Sequence, residues 1–343
     1  MVNRLMKQLT ETNAIASNES AMRKIIMENC QDYVDEVLED GLGSLVFHKK
    51  GAGPKIMVAA HIDEVGLLVK FITPEGMLVV IPIGAVRPYS MTTQSVIVTT
   101  ADREEISGLL HTNDDMTIYV DLGLDTEQDV TSLGIDIGDM VTFDTTYKEL
   151  SDRRFSGKAL DDRVGCYALI KMLRKIFEDN LDINFYAAFT SSEEVGMRGG
   201  KTSSELIQPD YALIIDVACA RNEFCRNYTN NRQLGKGPML LHYDKTLIPN
   251  QELLMMTKKL ANSLEIPIQK DMFVNGGTDG GAVSLANTGM PTLVFGIPNR
   301  YGHGPVSFAD YQDIEQLVIL VTELCQELKK VEKRNEYGFF TSK

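Results

Sequence analysis

Two glutamates stand side by side in "TSSEEVGMRGG" (190–200), after an apolar run and before a glycine-rich turn. In a cleft, Glu193 and Glu194 repel one another and burial disfavours both charges, unless a cation offsets them. With a metal ion supplied, one carboxylate can ligate it while its neighbour stays free to move a proton. Four further stretches carry residues of the same chemical kind. His61 and Asp63 follow the apolar run in "AAHIDEVG", Asp161 and Asp162 open a helical pattern in "GKALDDRVG", Asp216 closes "YALIID", and His303 lies in "NRYGHGPVSF". Each has an ordinary alternative when taken alone: a solvated loop acid for the glutamates, a helix cap for the aspartates, a turn or loop residue for the rest. Their joint pattern is less ordinary, because every apolar run read as a core strand ends in or near an acid or a histidine. Two histidines and three carboxylates, one of them shared, form the donor set that two borderline divalent cations about 3.5–4 Å apart require.

Such residues need a scaffold that brings strand ends together. The runs "PKIMVAAH" (54–61), "INFYAAFT" (183–190), "YALIID" (211–216) and "MPTLVFGI" (290–297) are continuously apolar, as strands buried on both faces are. Helical spacing occurs at about 17–29, 162–177, 250–264 and 310–331. In the last, Ile314, Leu317, Val318, Val321 and Leu324 recur on one face, which predicts a helix packed on the sheet. This alternation predicts an α/β fold, in which sites form at the carboxyl ends of the strands. From Val69 to Thr146 the pattern changes to short strands broken by Gly, Pro and Asp, such as "GMLVVIPIG", "QSVIVTT" and "DMVTFDT". An inserted β-domain is therefore expected over 69–146, with the catalytic domain formed by 1–68 and 147–343.

Composition narrows the partners. The net charge is −14, and between Ala101 and Glu149 thirteen acidic residues face only Arg103 and Lys148. A surface of that sign repels phosphate backbones and anionic lipid, so no nucleic-acid or membrane partner is expected. The five cysteines (Cys30, Cys166, Cys219, Cys225 and Cys325) are odd in number and include no CxxC pair, which points to a reducing, cytoplasmic setting rather than a disulfide framework. No apolar stretch reaches the ~18 residues of a membrane span. "VNGGTDGGA" (274–282) lacks both the GxxxxGK[ST] lysine and the GxGxxG spacing, so it reads as a tight turn beside the site rather than a phosphate loop.

Taken in order, "AAHIDEVG", "GKALDDRVG", "SSEEVGMRGG", "IIDVACA", "NGGTDGGA" and "RYGHGP" resemble the metallo-aminopeptidase family that includes glutamyl aminopeptidase and the tetrahedral, dodecameric (TET) aminopeptidases. Some members of that family carry an endoglucanase label. The resemblance covers almost the whole chain. It implies a mixed, mainly parallel sheet flanked by helices, with the insertion forming a small barrel-like dimerisation domain. It also implies that His61, Asp161 and Asp216 hold one metal while Asp161, Glu194 and His303 hold the other. Glu193 is then the general base and later the acid, and Asp63 orients and polarises His61; the two adjacent aspartates, read by themselves, also allow Asp161 to bridge metals while Asp162 or Arg163 makes contacts behind it. The cofactors implied are two divalent ions, Zn or Co with Mn as a third choice. The substrate implied is a short peptide, and the assembly a homo-oligomer of dimers building a dodecamer. One position departs: Gly304 stands where the family commonly has serine, which bears on loop packing and substrate preference. Arg198 and Arg300 are either structural or cations for an acidic substrate side chain. Two other readings compete. Glycoside hydrolysis places its carboxylates on opposite sides of the bond, which adjacent glutamates fit poorly. The other is a non-catalytic relative, or one acting on an unusual amide.

Overall fold

The computed structural model describes residues 3–220 and 231–331. Helices α1 (Arg4–Glu11) and α2 (Ser20–Cys30) lead into antiparallel strands β1 (Glu36–Glu39) and β2 (Leu45–Lys49), then into β3 (Ile56–His61). Every residue of β3 is buried. Its side chains alternate between two apolar layers, Ile56, Val58 and Ala60 on one face and Met57 and Ala59 on the other. That two-sided burial is why the run carries no polar alternation.

After β3 the chain leaves the sheet. Strands β4 (Gly66–Ile72), β5 (Leu78–Ile83), β6 (Gln94–Thr99), β7 (Glu105–Thr112), β8 (Ile118–Asp121) and β9 (Met140–Phe143) close into an antiparallel barrel in the order β4-β5-β8-β7-β6-β9. Closure leaves no free edge, and the inward residues Leu67, Val80, Val96, Leu110, Val120 and Val141 fill the interior. The expected all-β pattern is interrupted by a single 3-10 turn at Pro88–Ser90 and by α3 (Glu127–Ser132). Its start is a local device: the Thr126 hydroxyl accepts from the Asp129 N–H, and Val130 is buried against the barrel core.

The chain then returns to the sheet through β10 (Lys148–Glu149), β11 (Arg154–Gly157), α4 (Leu160–Glu178), β12 (Phe185–Thr190), α5 (Arg198–Ile207), β13 (Tyr211–Ala220), β14 (Met239–Asp244), α6 (Gln251–Ser263), β15 (Gln269–Phe273), α7 (Asp279–Ser284), β16 (Thr292–Arg300), β17 (Ser307–Asp310) and α8 (Tyr311–Lys329). The sheet order is β1-β2-β12-β3-β13-β16-β17-β11-β10, with β14 paired to β16 and β15 to β14. The four strands expected from the sequence, β12, β3, β13 and β16, form its parallel centre. The antiparallel flanks were not legible as strands. Helices α1, α2, α4, α6 and α8 cover one face, and α5 and α7 the other. The α8 residues Ile314, Leu317, Val318, Val321 and Leu324 are all buried in that packing, as their spacing predicts.

Register sets the levels at the carboxyl edge. His61 pairs with Thr190, so residues 191–194 emerge beside it. Ile214 pairs with Ala59, which puts Asp216 level with His61 two residues on. Asp216 is not a strand end, contrary to the sequence reading. Strand β13 continues to Ala220 because Val217 to Ala220 pair with Ile297 to Arg300 of an equally extended β16.

Candidate metal centre

Asp161 and Asp162 divide the two roles open to them. The Asp162 carboxylate turns into α4 and accepts the Gly165 N–H at 3.1 Å, the capping arrangement. Asp161 turns out, and its two oxygens face different histidines: Oδ1 lies 3.0 Å from His61 Nε2, and Oδ2 lies 3.0 Å from His303 Nε2. The backbone of both aspartates is non-helical and the peptide between them is cis. Around Asp161 two groups of donor atoms assemble, each within 4.8 Å: His61, Asp161 and Asp216, and Asp161, Glu194 and His303. All five sequence-predicted ligands therefore meet in one place, with Asp161 common to both groups.

Both imidazoles are fixed in one orientation. His61 Nδ1 lies 3.1 Å from the Asp63 carbonyl oxygen, and His303 Nδ1 lies 3.1 Å from the Ala85 carbonyl oxygen. A carbonyl only accepts, so each Nδ1 donates and each Nε2 is presented to the carboxylates. The Cys166 thiol also holds this end of β3, donating to the His61 carbonyl at 3.1 Å.

Charge accumulates in a small volume. Burial pushes the Asp216 and Glu193 carboxyls well above the usual range; the neighbouring Asp161 adds to the first, and the nearby His61 partly opposes the second. Glu194 is pushed up to about 7, again mainly by burial, with His303 opposing and Asp161 adding. Asp161 goes the other way: burial would raise it, but hydrogen bonds from His303 and His61 hold it well below the carboxylate range. Burial alone would lower both histidines. Asp161 and Asp63 lift His61 well above its ordinary value, and Glu194 with Asp161 lifts His303 to about 9. Glu194 Oε1 is buried without a hydrogen-bond partner, 3.6 Å from His303 Nε2. Inward Nε2 atoms, crowded carboxylates and an orphaned carboxylate oxygen together match what divalent cations need, and an imidazole–carboxylate set suits Zn, Co or Mn.

Asp63 has a wider part than the sequence indicated. It is fully buried, and its Oδ1 lies 3.4 Å from His61 Nδ1. Its two oxygens also accept the backbone N–H groups of Glu193 at 2.9 Å and Glu194 at 3.1 Å. One carboxylate thus joins the β3 end to the loop carrying both glutamates. The barrel also reaches the centre, through the segment after β5. Ala85 holds His303 as described, the Arg87 N–H donates to the His303 carbonyl at 3.0 Å, and Arg87 Nε donates to the Gly302 carbonyl at 3.2 Å. Gly84 makes this approach possible: its φ is +75°, and a Cβ there would sit 2.9 Å from Val65 Cγ1 and 3.1 Å from Glu194 Oε2. None of these barrel contacts had a local signal in the sequence.

Thr278 caps α7, and Asp279 Oδ2 accepts from Thr190 Oγ1 at 2.6 Å, which places the "NGGTDGGA" turn under the end of β12. Arg163 is fully buried, donating to the carbonyls of Leu9 at 2.5 Å and Thr12 at 3.0 Å. Arg198 is exposed at the start of α5, and Arg300 closes β16 opposite Phe308. At Gly304 a Cβ would come 2.9 Å from Ser90 Oγ, so the glycine and Ser90 fit one another. Cys30, Cys166, Cys219 and Cys325 are free thiols, and Cys225 lies outside the described residues. Among the described residues no helix is long and apolar enough to cross a membrane.

Residues 43–320 match the M42 glutamyl aminopeptidase family. The lysyl aminopeptidase of Pyrococcus furiosus is 32% identical over 344 residues, covering 96% of this chain and 98% of the relative. The TET aminopeptidase from Thaumarchaeota archaeon SCGC AB-539-E09 superposes with a TM-score of 0.91 at 31% identity, covering 96% of both chains. The Pyrococcus horikoshii TET1 peptidase, described as able to assemble into a tetrahedron or a large octahedral shell, gives 0.83 at 27% identity, covering 94% of this chain and 98% of that one. With its mainly parallel sheet, its barrel and its convergent histidines and carboxylates, the chain belongs to the M42 glutamyl aminopeptidase family and is a peptidase hydrolase.

Proposed function

We propose that this chain is a dinuclear metallo-aminopeptidase that removes N-terminal residues from short peptides. The observation that carries the reading is Asp161, whose two oxygens each lie 3.0 Å from the Nε2 of a different histidine at the junction of two donor groups. His61, Asp161 and Asp216 would hold one divalent ion, and Asp161, Glu194 and His303 the other, Zn or Co with Mn as a third choice. Such ions, when bound, lower the pKa of water towards neutrality and polarise the scissile carbonyl. Glu193 takes the proton from the attacking water and returns it to the leaving amine nitrogen. It can do so because its neighbour Glu194, not Glu193, belongs to the donor group. Asp63 keeps the two glutamates in register by accepting both of their amide protons.

The division into a catalytic domain (1–68 and 147–343) and an inserted oligomerisation domain (69–146) is part of the same proposal. It is supported by the closed barrel and by TET relatives that assemble into closed shells, with one correction: the first barrel strand begins at Gly66, so the barrel takes in residues 66–68 that the sequence reading left in the catalytic domain. We extend to this chain a homo-oligomer of dimers building a twelve-subunit tetrahedron, in the cytoplasm, where its described free thiols stay reduced. The test is hydrolysis of aminoacyl-p-nitroanilides with acidic, basic and apolar residues, by chelated protein and by protein reloaded with Zn, Co or Mn. Cleavage lost on chelation and restored by reloading is expected. Absence of cleavage with both donor groups demonstrably filled would overturn the assignment.

A further inference from the structure

The loop between β12 and α5 must hold a carboxylate in place for proton transfer, yet only its later amides, Gly196 and Met197, find a backbone partner, the Glu193 carbonyl, while the first four have none. Side chains from distant segments cap these four in succession. Ser191 N–H donates to Ser44 Oγ at 3.1 Å, Ser192 N–H to Glu19 Oε1 at 3.1 Å, and the Glu193 and Glu194 N–H groups to the two oxygens of Asp63. Glu19 stands out among these caps. It occupies the position before α2 where a side chain would ordinarily cap that helix, but it makes no capping bond there. Its Oε1 turns instead to the loop, where it also accepts from Ser191 Oγ at 2.9 Å and Ser192 Oγ at 3.4 Å. The residue is only 5% exposed, and burial pushes its carboxyl upward, with the charge of Asp63 adding to the effect. An acid buried beside other acids is destabilising unless its acceptor capacity is needed. The need is visible at Ser192, a non-glycine residue held at φ +57° immediately before Glu193. That left-handed backbone persists only where the surroundings over-determine it.

We propose that Glu19 is a positioning residue for Glu193: by clamping the left-handed Ser192 it sets the direction in which the next side chain enters the site. The inference rests on Glu193 being the proton carrier. A residue misplaced by about 1 Å at a reacting centre loses on the order of 10²-fold in rate. With metals replete, Glu19→Ala is therefore expected to lower kcat by roughly 10- to 100-fold while KM stays within about two-fold. Glu19→Gln keeps an acceptor oxygen of the same reach and should recover most of the rate. In metal-free protein, hydrogen exchange of the 191–197 segment should speed up in Glu19→Ala while α4 and the barrel are unchanged.

The proposal is overturned if Glu19→Ala turns over like the parent, if the 191–197 amides exchange no faster, or if Glu19→Gln is no better than Glu19→Ala. Should Glu19→Ala unfold globally, Glu19→Gln carries the test: folded and active supports the clamp, folded and inactive overturns it. Failure of the underlying reading looks different. Glu193→Gln would then turn over normally, and the positioning role of Glu19 would fall with it.

Discussion

Replacing Asp63 by Asn keeps the shape of the side chain and removes half of its acceptor capacity. In the parent, Oδ1 and Oδ2 are 2.9 and 3.1 Å from the amide nitrogens of Glu193 and Glu194, in a site with no exposure at Asp63. Asn has one oxygen, so one of these buried N–H groups must face an NH2, donor against donor. An unsatisfied buried amide costs about 1–3 kcal/mol, and losing the charge on the surviving acceptor takes away roughly 1 kcal/mol more. The sum is about 2–4 kcal/mol, which for a chain of this length lowers Tm by roughly 4–8 °C at about 2 °C per kcal/mol. Displacement of the glutamate loop should in addition lower kcat by on the order of 10²-fold. Calorimetry of the metal-free protein isolates the first effect. Steady-state kinetics normalised to bound metal isolates the second. A variant with parental Tm and parental turnover per bound metal would refute the reasoning. If only metal affinity fell, by the roughly 10- to 100-fold typical of a lost ligand support, Asp63 would act through His61 alone and the loop argument would be wrong.

Glu193→Gln should retain metal, measured by elemental analysis, and lose about 10²-fold or more of kcat; full activity would remove Glu193 from the proton path. Asp161→Ala should fail to retain metal, because one residue serves both donor groups; a metal-replete, active variant would refute the bridge. Away from the centre, burial pushes the Asp313 carboxyl up to about 7, against the opposing hydrogen bonds from the Gly235 and Gly237 amides. A raised acid stabilises the fold below its unfolded pKa and loses that contribution as pH rises through the folded value. The stability difference between parent and Asp313→Ala should therefore shrink by a few kcal/mol between about pH 4 and pH 7; denaturant midpoints that differ equally at both pH values would contradict this. Gly304→Ser should cost no more than about 1 kcal/mol, because the atom its Cβ approaches is the rotatable Ser90 hydroxyl, and Ser90→Ala should remove what cost there is in the double variant, read as Tm; a larger loss that Ser90→Ala leaves in place would contradict this.

Much of this protein is legible in its sequence. The four central strands announce themselves as unbroken apolar runs, since a strand covered on both faces has no polar side to show. The helix α8 shows its buried stripe by spacing, and the barrel shows itself by short strands and turn residues. His61, Glu193, Glu194, Asp216 and His303 are visible because site residues gather at the carboxyl ends of parallel strands, next to runs that can be recognised locally, whereas Asp161 follows the antiparallel β11 and shows only as one of two aspartates opening a helical pattern. The antiparallel flanks escaped notice because β1, β10 and β17 are short and derive their identity from their neighbours. Strand β13 was cut short at Asp216 because its extension depends on pairing with β16 about eighty residues away. Helix α3 escaped because a six-residue capped turn has little periodicity.

What the chain order alone determines, then, is which chemical groups exist and which local element carries each one. What depends on the tertiary structure is who touches whom: the Asp161 oxygens shared between two histidines, the Asp63 carboxylate spread over two amides, the Ala85 carbonyl from the barrel on His303, and Glu19 reaching Ser192 across 173 positions. Periodicity and propensity act over a few residues. These contacts are set by strand register and by lobes meeting, so they exist only once the parallel centre has aligned His61 with Thr190 and brought Asp216 to the same level.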